Sequence, residues 1–266
     1  MNEIAKTAPT MTELIALSTD DAPLAIFRPG AERMIEAMTE NLQGDVLELH
    51  QLPQAKVPGG GGDRFKIDTG GGATESDEEI IGVPLGFLNC GYLWGAEEMG
   101  DSEKPVLITH DFRYAYMEND DIGTLDADIL EAARVETDDD KAWFDWNKLP
   151  YTEFGSGKNG KGKRAKEFRL IPILRPNKTL PIVVRVPPAS VQGCDNFRRG
   201  AFDMAYYYHT IRLTLQTVPA SAGTPEYSKI VFECLPDTLT YDQGQMLKGL
   251  YVTTLRERHD ASTLDV

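Results

Sequence analysis

Two neighbouring apolar runs decide the fold of this chain: EFRLIPIL at residues 167–174 and LPIVVRV at residues 180–186. Short runs rich in Ile, Val and Leu that are bounded by turn residues predict β-strands. Residues 206–218 and 227–235 carry further β-branched and aromatic side chains, and one predicted helix at 191–204 interrupts the series. Strands joined by short turns, with a single helix among them, favour an antiparallel barrel or sandwich over a doubly wound parallel sheet.

On the N-terminal side of these runs, the sequence predicts four further strand segments, at 65–68, 80–94, 106–109 and 112–116. An acidic insert at 118–146 follows them, and we expect it to be exposed to solvent with one helix at 126–135. Three large aromatic side chains end the insert and would anchor it on the core: Trp143, Phe144 and Trp146.

These elements predict three parts of the chain. Residues 1–62 are interpreted as a helical extension with an apolar stripe at Met34, Ile35, Met38 and Leu42, followed by a Gly/Pro linker at 53–62. Residues 63–241 are predicted to form an OB-like β domain, and residues 242–266 a C-terminal helix and tail. The fold class is therefore predicted as β-rich α+β, with an antiparallel OB-like barrel.

Composition excludes several classes of protein. The 266 residues contain no apolar run long enough to span a membrane. The N-terminus lacks the charged-then-apolar pattern of a signal peptide, so we expect the cytoplasm of the cell or host. Three widely spaced cysteines, Cys90, Cys194 and Cys234, favour reduced thiols over disulfides or a zinc site.

Charge is separated along the chain. The formal net charge is -15, yet residues 151–216 hold 12 basic and 4 acidic residues, which is a net charge of +8. The remainder carries -23. This separation predicts one basic face for a polyanion and acidic segments elsewhere.

A Gly/Lys loop at 154–164 resembles a phosphate-binding loop without meeting its requirements. Gly155 and Gly160 have the P-loop spacing and Lys161 follows, but Gly162 stands where Ser or Thr would hold Mg²⁺. The four histidines are dispersed, no hydrolase pattern occurs, and His110-Asp111 is a lone pair that by itself does not define a metal site. The sequence therefore predicts no enzyme, no catalytic residue, no metal and no cofactor. The loop is either a phosphate-binding segment or a solvated, flexible loop.

The run Tyr206-Tyr207-Tyr208-His209 is the second notable feature. If these residues form a strand, Tyr206 and Tyr208 share one face, where the rings and Arg212 could stack on bases. The competing interpretation is packing on both faces. Arg113, Tyr114 and Tyr116 repeat the same mixture more weakly.

Three segments resemble motifs of an uncharacterised family from phages and conjugative elements: residues 64–72, the Gly/Lys loop, and residues 180–190 with Phe197-Arg198. Their order and spacing match over about residues 64–235. The resemblance implies a relationship to the OB-fold single-stranded DNA-binding proteins of phage replication and recombination. Many members carry cysteines near the Gly/Lys loop. This chain has none between 91 and 193, so any zinc site of the family is missing.

The predicted function is sequence-tolerant binding of single-stranded DNA during replication or recombination of a phage or mobile element. The predicted contacts are Lys158, Lys161, Lys163, Arg164, Lys166, Arg169, Arg185, Tyr206, Tyr208 and Arg212. Replication or recombination proteins of phage or host are further expected partners, and a homo-oligomer is left open. The alternative is a phage-encoded acidic protein that mimics DNA and inhibits a host protein.

Overall fold

The computed structural model describes residues 49, 52–69, 74–96, 104–137, 141–176, 178, 180–203, 205–221, 225–241, 244, 245 and 247. The predicted N-terminal helix and nearly all of the predicted C-terminal helix lie outside these residues. Within the described part of the chain, no helix has the length and apolar character that crossing a bilayer requires.

The described residues form thirteen strands and two α-helices. The strands are β1 (Gln54–Lys56), β2 (Phe65–Asp68), β3 (Thr74–Asp77), β4 (Glu79–Pro84), β5 (Leu88–Leu93), β6 (Leu107–Thr109), β7 (Tyr114–Met117), β8 (Arg134–Val135), β9 (Trp143–Asp145), β10 (Lys166–Leu174), β11 (Ile182–Val186), β12 (His209–Val218) and β13 (Tyr227–Thr238). The helices are α1 (Ala127–Ala133) and α2 (Pro188–Gly200).

The chain divides into two compact units. Unit 1 comprises the described residues within Met1–Phe87, Ile171–Val186 and Gln192–Arg256. Unit 2 comprises those within Leu88–Leu170 and Pro187–Val191. A single β domain over 63–241 was predicted instead, because the runs of short strands carry no composition change that marks a division.

Unit 1 is a mixed sheet with the strand order β3-β2-β1-β11-β10. β1 runs parallel to β11 and antiparallel to β2. The end of β10 pairs with β4, which also pairs with β12, and β12 pairs with β13. Inward-facing aliphatic side chains of these strands form the core together with Cys194 of α2.

Gly82 allows β4 to pass from one neighbouring strand to the other. A Cβ atom at this position would lie 2.3 Å from the carbonyl oxygen of Leu174 in β10. Only a residue without a side chain permits that approach of two backbones.

Unit 2 is an antiparallel sheet with the order β10-β5-β6-β7-β9-β8, in which β10 takes part through Lys166–Leu170. Helix α1 begins where the carboxylate of Asp126 accepts hydrogen bonds from the amides of Asp128 and Ile129, a regular N-cap. The core of this unit gathers side chains from one face of the sheet and from α1, including Leu93, Leu107, Ala115, Leu130 and Phe144.

The β-rich α+β class is confirmed, but the OB-like barrel is not. In the described residues, the sheet of neither unit closes on itself. The reason is the open strand order, in which β3 and β8 each pair with only one other described strand.

Two sequence interpretations are corrected by the strands. The expected linker at 53–62 contains β1, whose Ala55 is fully buried. The expected acidic insert at 118–146 is an integral part of unit 2, because it supplies α1, β8, β9 and buried residues such as Leu125 and Trp146. Its helix and its buried Phe144 and Trp146 agree with the prediction, while its described acidic side chains are exposed or, for Asp145, half-buried.

Candidate nucleic-acid interface

The strand register of unit 2 places a row of half-buried side chains across one face of the sheet. Residues directly opposite each other on antiparallel strands project from the same face. In strand order, the row consists of Lys166, Tyr92, Ile108, Tyr116, Trp143 and Val135. We call the four central members, Tyr92, Ile108, Tyr116 and Trp143, the aromatic row.

The opposite face of the same strands forms the core. Leu93, Leu107, Ala115 and Phe144 alternate with the members of the aromatic row and are buried. On β6, β7 and β9, alternation thus separates a packed face from a half-buried face. On β5 and β10 the row face also carries the buried Cys90 and Phe168, and the ring centroid of Tyr92 lies 5.3 Å from that of Phe168 and 5.5 Å from that of Trp94. Tyr92 and Trp143 are three strand spacings apart, about 14 Å.

Cationic side chains border the aromatic row. Lys141 places its Nζ 4.3 Å from the ring centroid of Tyr116. Arg113 lies over the ring of Tyr114, which projects from the same face as Tyr116, at 5.7 Å. Lys166 lies at one end of the row. Rings with adjacent cations are the usual combination for stacking bases and contacting phosphates.

Lys166 is held at the end of the row by the preceding loop. Its ammonium group donates a hydrogen bond to the carbonyl oxygen of Lys163. Burial lowers the pKa of Lys166, because desolvation disfavours its charged form. A phosphate next to this group would favour the charged form again.

One acid beside the aromatic row has partners of its own. Asp145 lies on β9 two residues after Trp143 and opposite Tyr114. Its carboxylate accepts a hydrogen bond from the amide of Asn147 at 3.0 Å, and the Nζ of Lys148 lies 3.7 Å away. The negative charge beside the row is thereby partly balanced.

The Gly/Lys loop leads directly into Lys166 and has a defined backbone conformation. The amides of Gly155 and Gly157 donate to the carbonyl oxygen of Gly162, at 2.7 and 3.2 Å. Asn159 adopts a positive φ of 55° inside the loop. These contacts bring the two ends of the loop close together, and Asn159 and Lys161 between or beside them remain exposed.

The loop presents one large apolar side chain and two exposed lysines. Phe154 is 83% exposed, the most exposed large hydrophobic side chain among the described residues. Lys158 and Lys161 are also exposed. All three side chains are therefore accessible from solvent on one loop.

Three other predicted basic contacts of unit 2 have structural partners. Lys163 forms an ion pair with Glu167, with 2.5 Å between Nζ and Oε1. Arg164 donates to the carbonyl oxygen of Gly95 and to Oγ1 of Thr124, both at 2.7 Å.

Arg169 is only 8% exposed. It donates to the carbonyl oxygen of Phe168 at 3.0 Å, and its guanidinium lies 5.3 Å from the ring centroid of Phe112. Arg169 therefore packs within unit 2.

The tyrosine run of unit 1 does not form the predicted strand. Tyr206–Tyr208 is a 3-10 turn, and β12 begins at His209. The alternation argument for this run is therefore wrong. Tyr206 packs edge-on against Phe87, at 5.4 Å between ring centroids.

Tyr208 is 6% exposed, and Gln245 donates to its hydroxyl oxygen at 2.7 Å. A ring that is enclosed in this way offers no open face to a base.

The two predicted arginines of unit 1 lie on strands. Arg185 is half-buried on β11, opposite Lys56. Arg212 lies on β12 with its Nε 3.1 Å from a carboxylate oxygen of Glu79 and its Nη1 3.1 Å from one of Glu233. Its charge is balanced by two acids from neighbouring strands.

The aromatic row includes residues that the sequence interpretation missed, namely Tyr92, Ile108 and Trp143. Their signal was the alternation of an amphipathic ring with a residue of the buried face, as in Tyr-Ala-Tyr at 114–116 and Trp-Phe at 143–144. Tyr114 and Tyr116 had been noted beside Arg113, whereas Trp143 was expected to anchor the insert on the core and instead lies half-buried on the opposite face.

Compared with known protein families, curated proteins and solved structures, the chain matches none of them. The resemblance to phage and conjugative-element proteins therefore stays a prediction. Among the described residues, no group of three or more His, Cys, Asp or Glu side chains is placed to hold a metal ion.

Proposed function

We propose that this chain binds single-stranded DNA during replication or recombination of a phage or other mobile element, and that unit 2 is the binding part. The observation that carries the proposal is the aromatic row, which lies on the sheet face opposite the core and is bordered by Lys141 and Lys166. Duplex DNA hides its base faces, so a row of rings selects single strands.

Each part of unit 2 has its own role in this proposal. Tyr92, Tyr116 and Trp143 stack on bases, which tolerates any sequence because every base has a π face. Phe154 adds a ring from the Gly/Lys loop, and Lys158 and Lys161 contact phosphates without reading bases.

The first experiment is a fluorescence anisotropy titration of a labelled oligo-dT with the full chain at several salt concentrations, beside a duplex. We expect single-strand selectivity and affinity that falls with salt. Lys158→Ala with Lys161→Ala should reduce the slope of log K against log salt by about 1.4, because each lost phosphate contact contributes about 0.7. Lys56→Ala with Lys104→Ala removes the same charge from exposed positions elsewhere and should leave the slope nearly unchanged.

Tryptophan fluorescence locates the bases. Trp143 is half-buried in the row, whereas Trp94 and Trp146 are buried. Oligo-dT should quench the emission of the chain, and Trp143→Phe should remove most of that quenching. Absence of binding at low salt, or quenching that survives Trp143→Phe, would contradict the proposed site.

One observation favours the second candidate, an acidic protein that mimics DNA. The segment around α1 exposes several carboxylates: Asp120, Asp121, Asp126, Asp128, Glu131 and Glu136. A mimic would not bind oligo-dT at any salt concentration, and would bind a DNA-binding protein in competition with DNA. The same titration therefore separates the two functions.

A further inference from the structure

The tip of the Gly/Lys loop is a β-turn formed by Lys158-Asn159-Gly160-Lys161. The amide of Lys161 donates a hydrogen bond to the carbonyl oxygen of Lys158 at 3.1 Å, which closes the turn. Asn159 has a φ of 55° and a ψ of 31°, and Gly160 has a φ of 69°. Positive φ values at both central residues are those of a type I′ turn, for which Asn-Gly is a preferred pair.

Both central residues of this turn are accessible to solvent. Among the atoms of the described residues, a Cβ atom added at Gly160 would meet only the carbonyl oxygen of Gly155, at 4.0 Å. The side-chain amide of Asn159 makes no hydrogen bond within the described part of the chain. Neither packing nor a hydrogen bond there holds this amide away from the backbone that follows it.

A rotation of one peptide unit brings the reacting atoms together. Turning the peptide between Asn159 and Gly160 converts the type I′ turn into a type II′ turn, in which Asn159 keeps a φ of about 60° and takes a ψ of about −120°. The nitrogen of Gly160 then eclipses Cβ of Asn159 and can approach its Cγ. The rotation breaks the 3.0 Å hydrogen bond from Gly160 to Gly157 and keeps the bond that closes the turn. Glycine allows it because it adopts φ of either sign without strain.

We propose that Asn159 is a site of spontaneous deamidation, and that this modification weakens the binding of DNA to the loop with time. The nitrogen of Gly160 loses its proton to water or hydroxide and forms a bond to Cγ of Asn159. The bond between Cγ and Nδ2 breaks, and the leaving nitrogen takes up a proton from water and departs as ammonia. Water then adds to one of the two carbonyl carbons of the resulting succinimide and opens it to aspartate or isoaspartate.

The consequence for binding rests on the proposed function. Either product places a carboxylate between Lys158 and Lys161, the two lysines that contact phosphates in that proposal. One carboxylate offsets about one phosphate contact. The affinity for oligo-dT should therefore fall roughly fivefold at about 0.1 M salt, and the slope of log K against log salt should decrease by about 0.7.

Peptide mapping by mass spectrometry tests the modification on the full chain, incubated in mildly alkaline buffer at physiological temperature. The peptide that contains Asn159 should convert to the acid, with isoaspartate as a separately eluting product, well before Asn147 and Asn196 change. These two residues are internal controls, because they are exposed but are followed by Lys148 and Phe197, whose side chains hinder attack by the backbone nitrogen. Conversion of Asn159 no faster than that of the controls would overturn the proposed site.

Two variants separate the modification from its effect on binding. Asn159→Asp carries one of the products from the start and should bind oligo-dT roughly fivefold more weakly without incubation. Asn159→Gly suits a positive φ and has no side-chain amide, so its affinity should not decline during incubation. A wild-type chain that deamidates yet binds oligo-dT as tightly as before would refute the effect on binding. If no chain binds oligo-dT, the proposed function fails and the effect on binding fails with it, while the mass spectra still decide whether Asn159 deamidates.

Discussion

Replacing Tyr116 tests the aromatic row most directly. The residue lies at the centre of the sheet face, opposite Ile108 and Trp143, with its ring centroid 5.6 Å from that of Trp143. Tyr116→Val removes the ring but keeps a side chain that suits a strand. The hydroxyl oxygen of Tyr116 lies 3.5 Å from Nε2 of His110.

The expected loss follows from the contacts of one ring. Stacking of a base on an aromatic side chain contributes about 1–3 kcal/mol. The affinity for oligo-dT should therefore fall about 5- to 150-fold at constant salt. The salt dependence should change little, because Lys141, which now lies over this ring, remains able to contact a phosphate.

The assay is the anisotropy titration, with thermal unfolding of each variant measured by circular dichroism. Tyr227→Val is the matched control, because Tyr227 is also a half-buried tyrosine at a strand position but belongs to unit 1. Its affinity for oligo-dT should lie within twofold of that of the wild-type chain. If Tyr116→Val folds and binds oligo-dT as well as the control, the aromatic row is not the site at which bases stack.

Two further predictions concern packing and thiol chemistry. Gly82→Ala should lower the free energy of unfolding, measured by urea titration, by about 1–3 kcal/mol or more, because the new Cβ would collide with the backbone of Leu174. Gly59→Ala is the control. It should have little effect, because no atom lies within 4 Å of the new Cβ. Burial and, second, the charge of Asp203 raise the pKa of Cys234. The pH at which alkylation of Cys234 reaches half its maximal rate should therefore be higher than that of a free thiol. Asp203→Asn should lower this midpoint pH. A midpoint pH that the substitution leaves unchanged would contradict the role of Asp203.

Local patterns were sufficient for most of the regular elements. The apolar runs that became β10 and β11 were predicted because burial on both faces requires continuous Ile, Val and Leu. A helix was predicted at 126–135, and α1 forms at Ala127–Ala133, where Asp126 caps the first turn. Such signals involve residues within a few positions of one another, so the sequence contains them directly.

Elements that depend on distant partners were missed. Strand β1 has three residues and no pattern of its own, and its stability comes from pairing with β11 and β2. The turn at Tyr206–Tyr208 has the composition of a strand. Its conformation is accompanied by contacts with Phe87 and Gln245, which are remote in sequence.

The sequence by itself determined the charge separation, the strand-rich class and the alternation that makes one face of strands such as β7 amphipathic. Only the tertiary structure decided which of these side chains remain on the surface. Arg212 is balanced by two acids from strands far apart in the chain, while Tyr92, Tyr116 and Trp143 are brought together by register. The physical reason is that a side chain's local pattern sets the face from which it projects, whereas pairing between distant strands sets its neighbours.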